Sequence, residues 1–387
     1  VSANVRAGRH TIYWGQSVLS KAAFNSFAGS MTAIDLSKGL GAPGSEAKEL
    51  FMPSGKVSSV VQLTNNLTLN GFYSFEFVHT RWPESGTYFS FTELTTENSE
   101  FLTVNAGFID ESGVEQPRSG FKVVDDKYKD SGVWGVNLQY FIEPWGLETA
   151  FIYMNNTDRG PSGLYATNGG ITQKEADLAA KTNAQLIGHY GWVYKDDIDT
   201  FGISLSKEWL EISWGLDLVY RKDQPLNPDL VASLTPGLIP GLPEIKNTPS
   251  NFPGATGDTM HIVLNGVGFL NAQWGLWEGG TYIFEITSSA LDDFTDNEDK
   301  ANAFISEDRW VTNVAGVFKP TWYQVRPGWD LSLPMSVSYT FDGDQAPMTS
   351  GGTEEIGNGS IGAELLIDQV WIVNAAYNVF YCPQGNG

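Results

Sequence analysis

Apolar and polar residues alternate one by one along much of the chain. The clearest run is LEISWGLDLVYRK, where Leu210, Ile212, Trp214, Leu216, Leu218 and Tyr220 oppose Glu211, Ser213, Gly215, Asp217, Val219 and Arg221. A period of two places successive side chains on opposite faces of a β-strand. The stretch Lys56 to Trp82 reads as two long strands joined at Asn65-Asn66, a pair that tolerates the positive φ of a hairpin turn. Val57, Val61, Leu63, Leu69, Tyr73, Phe75 and Phe77 share its apolar face. Val5 to Gly15 reads as a first strand, and Val133 to Phe141 pairs with Leu147 to Met154. His189 to Ser206 reads as one very long strand, bulged at Lys195 to Asp199. Three hairpins follow: Met260 to Asn271 with Gly280 to Thr287, Trp310 to Val325 with Leu331 to Phe341, and Ser360 to Ile367 with Val370 to Tyr381.

The connections sort by length. Short ones fall near Asn65, Pro144, Glu208, Trp274, Pro327 and Asp368, and long ones lie between them. Short turns at one end and long loops at the other are the signature of an outer-membrane barrel, and Trp145, Trp209, Trp274 and Trp329 gather at the short turns as an interfacial aromatic girdle would. The expected fold is all-β, a transmembrane antiparallel up-and-down β-barrel forming one domain over residues 1–387. About thirteen strands are visible, and closure with both termini on one side needs an even number. The expectation is therefore about fourteen to sixteen strands in the complete protein, with a closing strand beyond Gly387 and one or two more before Val1.

Composition agrees with this picture and removes others. The mean hydropathy is −0.19, and no run reaches the roughly 18 apolar residues of a spanning helix, whereas a barrel hides its apolar band in alternate positions. A net charge of −22 and a pI near 4.4 speak against nucleic-acid partners. Cys382 is the single cysteine, so no internal disulfide forms.

Two long connections carry helical composition. KEADLAAKTNAQ, within Asn155 to Gln185, predicts a short loop helix, and SEAKELF predicts one or two turns with Ser45 as N-cap. The segment from residue 19 to 53 holds more apolar residues than an exposed loop should, among them Phe24, Phe27, Met31, Ile34, Leu36, Leu40, Leu50, Phe51 and Met52. We expect it to fold into the barrel as a gate or plug carried by Phe24, Phe27, Met31, Ile34, Leu40 and Phe51.

Several segments together resemble the family catalogued as domain of unknown function 1302. They are Ala7-Gly8-Arg9-His10 with Tyr13-Trp14-Gly15-Gln16-Ser17, Pro43 to Pro53, LTLNGFYSFEF, GTYFSF, SGVWGVNLQYF, DDIDTFGISLS, LVYRKDQPL and PTWYQVRPGWDLSLPMSVSY. The chain departs from the family pattern at Gln16, where relatives commonly carry an acid. The resemblance implies location in the proteobacterial, hence Gram-negative, outer membrane. It also implies a link to transport of lipid or hydrophobic compounds, with a periplasmic lipoprotein and an inner-membrane exporter as companions. It implies no catalytic residue.

Candidate chemistry is sparse. Gly39 to Gly44 matches GxGxxG literally but follows no strand, so it reads as turn punctuation. No GxSxG, HExxH or zinc-like spacing occurs, and the expectation is a protein that is not an enzyme and has no cofactor. The acidic run Asp292 to Asp299 could collect Ca²⁺ and bridge lipopolysaccharide, but it lacks the spacing of a calcium loop and reads as a solvated surface loop. By alternation the lumen receives Glu76, Asn137, Gln139, Glu148, Glu211, Asp217, Arg221, Glu285, Lys319, Glu364, Asn374 and Asn378, with apolar Phe72, Phe141 and Ile372 among them. Apolar inward residues beside charges fit a transporter or channel for hydrophobic or lipid-like molecules, surrounded by outer-membrane lipids and lipopolysaccharide. The alternatives are a diffusion porin for small polar solutes and a structural barrel that transports nothing.

Overall fold

The computed structural model describes residues 2–19, 26–42, 45–90, 99, 101–105, 108–109, 115–160, 163–227, 249–272, 275–301, 309–343 and 354–382. Its body is one antiparallel sheet of fourteen strand segments. In chain order these are β1 (Ser2–His10), β2 (Ser54–Gln62), β3 (Leu67–Ser74), β4 (Trp134–Ile142), β5 (Leu147–Asn156), β6 (Ile198–Trp209) and β7 (Ile212–Pro225). They continue with β8 (Thr256–Phe269), β9 (Gly279–Asp296), β10 (Trp310–Arg326), β11 (Trp329–Ser332 and Met335–Asp342), β12 (Gly357–Ile367) and β13 (Trp371–Tyr381). The two parts of β11 are one crossing interrupted at Leu333-Pro334, since both pair with β10 and with β12; fourteen segments therefore make thirteen crossings. Proline has no N–H to give to a ladder, which is why the interruption falls there.

Each strand pairs with its neighbour in sequence, so the sheet is a meander. Both margins, β1 and β13, run from the short-turn end toward the long-connection end, and among the described residues no ladder joins them. The sheet curls far enough that Phe89, in the connection after β3, packs on Phe380 of β13 with ring centroids 5.6 Å apart.

Register decides which side chains share a face. Leu138, Phe151, Ile203, Leu218 and Ile262 are opposite one another across β4 to β8. They form a band on the outer face, where Phe151 is 53% and Leu218 42% exposed. The inner face at the same level carries Asn137, Ser204, Asp217 and Asn265, all buried. This polarity is the reverse of a water-soluble sheet's, whose apolar face is the covered one.

The segment between β1 and β2 enters the concave face. It holds α1 (Phe27–Met31), α2 (Leu36–Gly41) and α3 (Ala47–Leu50). Ser26 caps α1 through its side chain, as does Asp35 for α2. At α3 the N-cap is Glu46 rather than Ser45, whose hydroxyl instead donates to the Ala42 carbonyl. Residues 39–41 of the GxGxxG match lie inside α2, so they are helix rather than a turn, and Pro43 and Gly44 lie outside the described residues.

A second sheet sits at the long-connection end. Strands Phe101–Asn105, Arg118–Val123, Ala184–Val193 and Gly163–Asn168 form it, drawn from the two connections that follow β3 and β5. Leu102, Phe121, Leu164, Tyr190, Trp192 and Tyr194 make its core, with Phe77 against them. Three sequence expectations change as a result. His189 to Ser206 is not one bulged strand: the chain turns at Lys195 to Asp197, with Asp197 at φ 55°, and passes from the second sheet into the first. The second strand of the opening hairpin stops at Ser74, which frees Phe77 to join the other core. Asp292 to Asp296 are the end of β9 rather than a loop. The expected loop helix is present as α4 (Gln173–Ala180), closed by a capping box between Thr172 and Glu175.

Glu175 also holds the second sheet, accepting from Lys122 Nζ at 2.7 Å. The Lys122 ammonium, with the Thr172 backbone N–H and hydroxyl, draws the Glu175 carboxyl down to about 2 from its ordinary 4.5. A carboxyl depressed in the folded state stabilises above its unfolded pKa and loses that contribution as pH falls through the folded one. Protection against hydrogen exchange across residues 173–193, taken relative to the intrinsic rate at each pH, should therefore fall between about pH 4.5 and 2, and Lys122→Met should flatten that dependence. An unchanged profile in the variant would contradict this assignment.

Candidate functional site

The interior of the large sheet is filled from the long-connection end by a strap, residues 11–19, followed by α1 to α3. Its tip is fastened by two carboxylates that point inward from the wall. Asp217 on β7 accepts the Gln16 N–H at 2.8 Å. Glu285 on β9 accepts the N–H groups of Val18 and Leu19 at 2.6 and 3.0 Å. The Asn265 side-chain amide donates to the Gln16 carbonyl, and Gln16 Nε2 reaches Ser204 Oγ at 3.3 Å. Asp217 and Glu285 are 0% and 2% exposed. A buried carboxylate is costly unless hydrogen bonds replace its water, and here the strap's backbone supplies them.

Gly15 makes this approach possible. Its φ of 93° lies in the left-handed region, and a Cβ there would come within 2.6 Å of Asp217 Oδ2.

Higher in the interior the strap packs through apolar groups. Trp14, Phe27 and Met31 join Phe72, Val133, Ala150, Ile152, Met154 and Val219 of the wall in one cluster. Trp14 meets Phe72 edge-on at 5.2 Å between ring centroids. Cations close the ends of α1: Lys56 Nζ and Arg159 Nη2 both donate to the Met31 carbonyl, at 3.4 and 3.3 Å. Arg221 Nη2 donates to the Ser26 carbonyl at 2.8 Å. At the C-terminal end the helix dipole favours this positive charge; at the N-cap the contact is a charge-assisted hydrogen bond alone. On the next strand His261, buried, bonds Ser289 at 2.9 Å and Thr259 at 3.0 Å.

Among the expected gate residues, Phe27 and Met31 touch the wall. Ile34 packs with Ala47, Leu50 and Phe51 in a separate cluster of the segment itself, and Leu40 is half-buried. Phe24 lies outside the described residues. That small cluster is held near the mouth, since the Arg81 N–H donates to the Ile34 carbonyl and Tyr13 stacks on Phe51 at 5.5 Å.

The expected lining residues divide into four groups. Phe72, Asn137, Asp217, Arg221 and Glu285 are buried beneath the strap. Gln139, Phe141, Glu148, Asn374, Asn378 and Ile372 share the inner face by register but are exposed. Lys319 and Glu364 pair across the inner face at 2.7 Å. Glu76 and Glu211 are not inner-face residues. Glu76, beyond the end of β3, pairs with outward Arg9 at 3.2 Å. Glu211 forms the β6–β7 turn with Leu210, both at positive φ, so the alternation of β7 starts only at Ile212.

Among the tryptophans expected at the short turns, Trp145 and Trp209 are exposed there, and Trp274 lies outside the described residues. Among the described residues, no group of three acidic, histidine or cysteine side chains could hold a metal ion.

Sequence reading missed Trp14, Gln16, Lys56, Arg159, His261 and Asn265 as parts of this interior. The one usable signal was Gly15 between an aromatic residue and a polar one, where alternation stops.

A family model described as a protein of unknown function, DUF1302, matches residues 1–384. No curated protein matches the chain. Among solved structures it is similar to the crystal structure of Acinetobacter baumannii OccAB4, at 10% identity over 97% of this chain and 72% of that one, with a TM-score of 0.30.

Removing the charge of Glu285 tests how the strap is held. Glu285→Gln keeps the size of the side chain but leaves one good acceptor for two N–H groups, at a cost of about 1.5–3 kcal/mol. The amides of residues 16–19 should exchange roughly ten- to a hundredfold faster, while those of β12 and β13 stay unchanged. Protection that is equal in the two proteins would contradict this fastening.

Proposed function

The chain belongs to the DUF1302 family, and from that premise we propose that it is an outer-membrane β-barrel channel or transporter whose passage is constricted by its own strap. The observation that carries this is the contrast between the faces of the sheet: an apolar band is exposed on the outside, while the charged and amide groups point inward and share the interior with an apolar cluster under the strap. Lipid is the solvent that suits the outer band, and closure between the β1 and β13 margins would leave every backbone group satisfied inside the bilayer.

Hydrophobic or lipid-like molecules are the cargo class this interior favours. The wall around the strap presents Phe72, Ile152 and Met154 beside Lys56 and Arg159, so a path exposed by a moving strap offers apolar surface with fixed charge next to it. An open diffusion channel has no use for an apolar cluster of this kind. In this proposal the long connections face outward, the short turns face the periplasm, and those turns are where a periplasmic lipoprotein and an inner-membrane exporter would dock. The protein carries cargo and catalyses no reaction.

A second reading, passage of small polar solutes, is favoured by the other half of the inner wall. Across β10 to β13 that face carries small uncharged groups such as Asn313, Ser336, Ser338, Ser360 and Asn378 beside the Lys319–Glu364 pair.

Deletion of residues 23–41 separates the readings. With the strap as the constriction, single-channel conductance in planar bilayers should rise several-fold over a low or closed intact protein, and cells should become sensitive to bulky antibiotics. Large ohmic steps from the intact chain would favour the polar-solute channel. Unchanged permeability in a variant that still assembles as a heat-modifiable barrel would reject the constriction.

A further inference from the structure

A cavity of about 340 Å³ lies between the strap and the inner wall of β1 to β4. Its volume is at the lower end of the roughly 300–1,000 Å³ of small-molecule sites. One side is polar, with Asn4, Arg6, Asn70 and Gln139, and the strap's Ile12, Tyr13 and Trp14 close the other.

The charge in this cavity is simple to count. His10 and Ser58 also line it and are bound to each other at 2.8 Å. His10 Nδ1 lies 3.0 Å from the Gly8 carbonyl, which can only accept, so Nδ1 carries the proton and Nε2 takes the hydroxyl proton of Ser58. A neutral ring satisfies both bonds. No carboxylate lines the cavity, and among the described residues none lies within ion-pair distance of Arg6. Asn70 Nδ2 donates to Gln139 Oε1 at 3.0 Å, so the two amides that line the same cavity as that guanidinium are neutral and bonded to each other.

We propose that this cavity binds the carboxylate head of a small amphiphile, with Arg6 as the charge partner and Ile12, Tyr13 and Trp14 covering the apolar part. One planar guanidinium matches one carboxylate through two parallel hydrogen bonds. A phosphate dianion would leave about one charge unmatched in a space that holds a single cation. This deepens the transport reading and rests on it, because it gives the cargo path a station beside the strap that senses whether a molecule carries an acid.

The test is equilibrium binding of octanoate and of octan-1-ol to the full chain in nanodiscs, with empty discs as control. Octanoate should bind above the control, and Arg6→Gln should weaken it by about tenfold or more while leaving octanol unchanged. Arg6→Lys should restore part of the loss. If Arg6→Gln fails to assemble, Asn70→Asp serves instead: a carboxylate placed in the cavity should displace octanoate. Octanoate binding that is equal in the wild type and either assembled variant, or no greater than in empty discs, overturns the site. Competition by inorganic phosphate at the affinity of octanoate overturns the carboxylate assignment. Failure here is distinguishable from failure of the channel reading. Arg6-dependent binding by a protein that conducts and transports nothing keeps the site and removes the channel; conduction with Arg6-independent binding does the reverse.

Discussion

A sheet that turns its polar side chains inward and its apolar ones outward is stable only between two different surroundings. The rest of this structure depends on that constraint. Among the described residues nothing covers the outer band, where Leu138, Phe151, Leu218 and Ile262 are exposed and Ile203 is half-buried, so favourable transfer of this apolar surface out of water must come from outside those residues. The inner face has the opposite problem. Asp217, Glu285, Arg221 and Lys56 would be stable in a water-filled interior, and where the strap removes the water its backbone takes over as their partner.

Strap and wall therefore explain each other. Carboxylates accept N–H groups at the strap's tip, cations donate to carbonyls at the ends of α1, and the apolar cluster around Trp14 fills the space between. Most of these bonds end on backbone atoms of the strap, so many strap sequences of the right shape would fit. Gly15 is the exception, because both its φ and its closeness to Asp217 exclude a side chain. The strap occupies one side of the interior, against β2 to β9, closes one side of the cavity beside Arg6 through Ile12, Tyr13 and Trp14, and leaves the inner face of β10 to β13 uncovered.

The sheet was largely legible in the sequence because period two and the sorting of connections by length are local signals. From them follow the thirteen crossings and the long and short ends; the helix Gln173–Ala180 was legible separately, in the helix-forming composition of KEADLAAKTNAQ. Alternation carries no information about which sheet a strand joins, and that is why His189 to Ser206 reads as one strand although it spans the end of Ala184–Val193 and most of Ile198–Trp209. It also runs through a two-residue turn without a mark, which placed Glu211 on the inner face. That the 19–53 segment leaves the surface follows from its apolar content. Where its neighbour docks does not, since Gln16 and Asp217 are 201 residues apart and no local pattern links them. Arg221 follows from alternation, but Lys56 and Arg159 were equally hidden, for Lys56 on a polar strand face looks like any solvated lysine.

The central claim is that the two faces of the sheet meet different solvents. Its most direct test places spin labels one at a time in a Cys382→Ser background, at Leu138, Leu218 and Ile262 on the outer face and at Ser338 and Asn378 on the inner face. Collision with oxygen is then compared with collision with a water-soluble nickel complex in liposomes. The account predicts that outer labels meet oxygen and are shielded from nickel, while inner labels meet nickel. Outer labels as open to nickel as inner ones would contradict it.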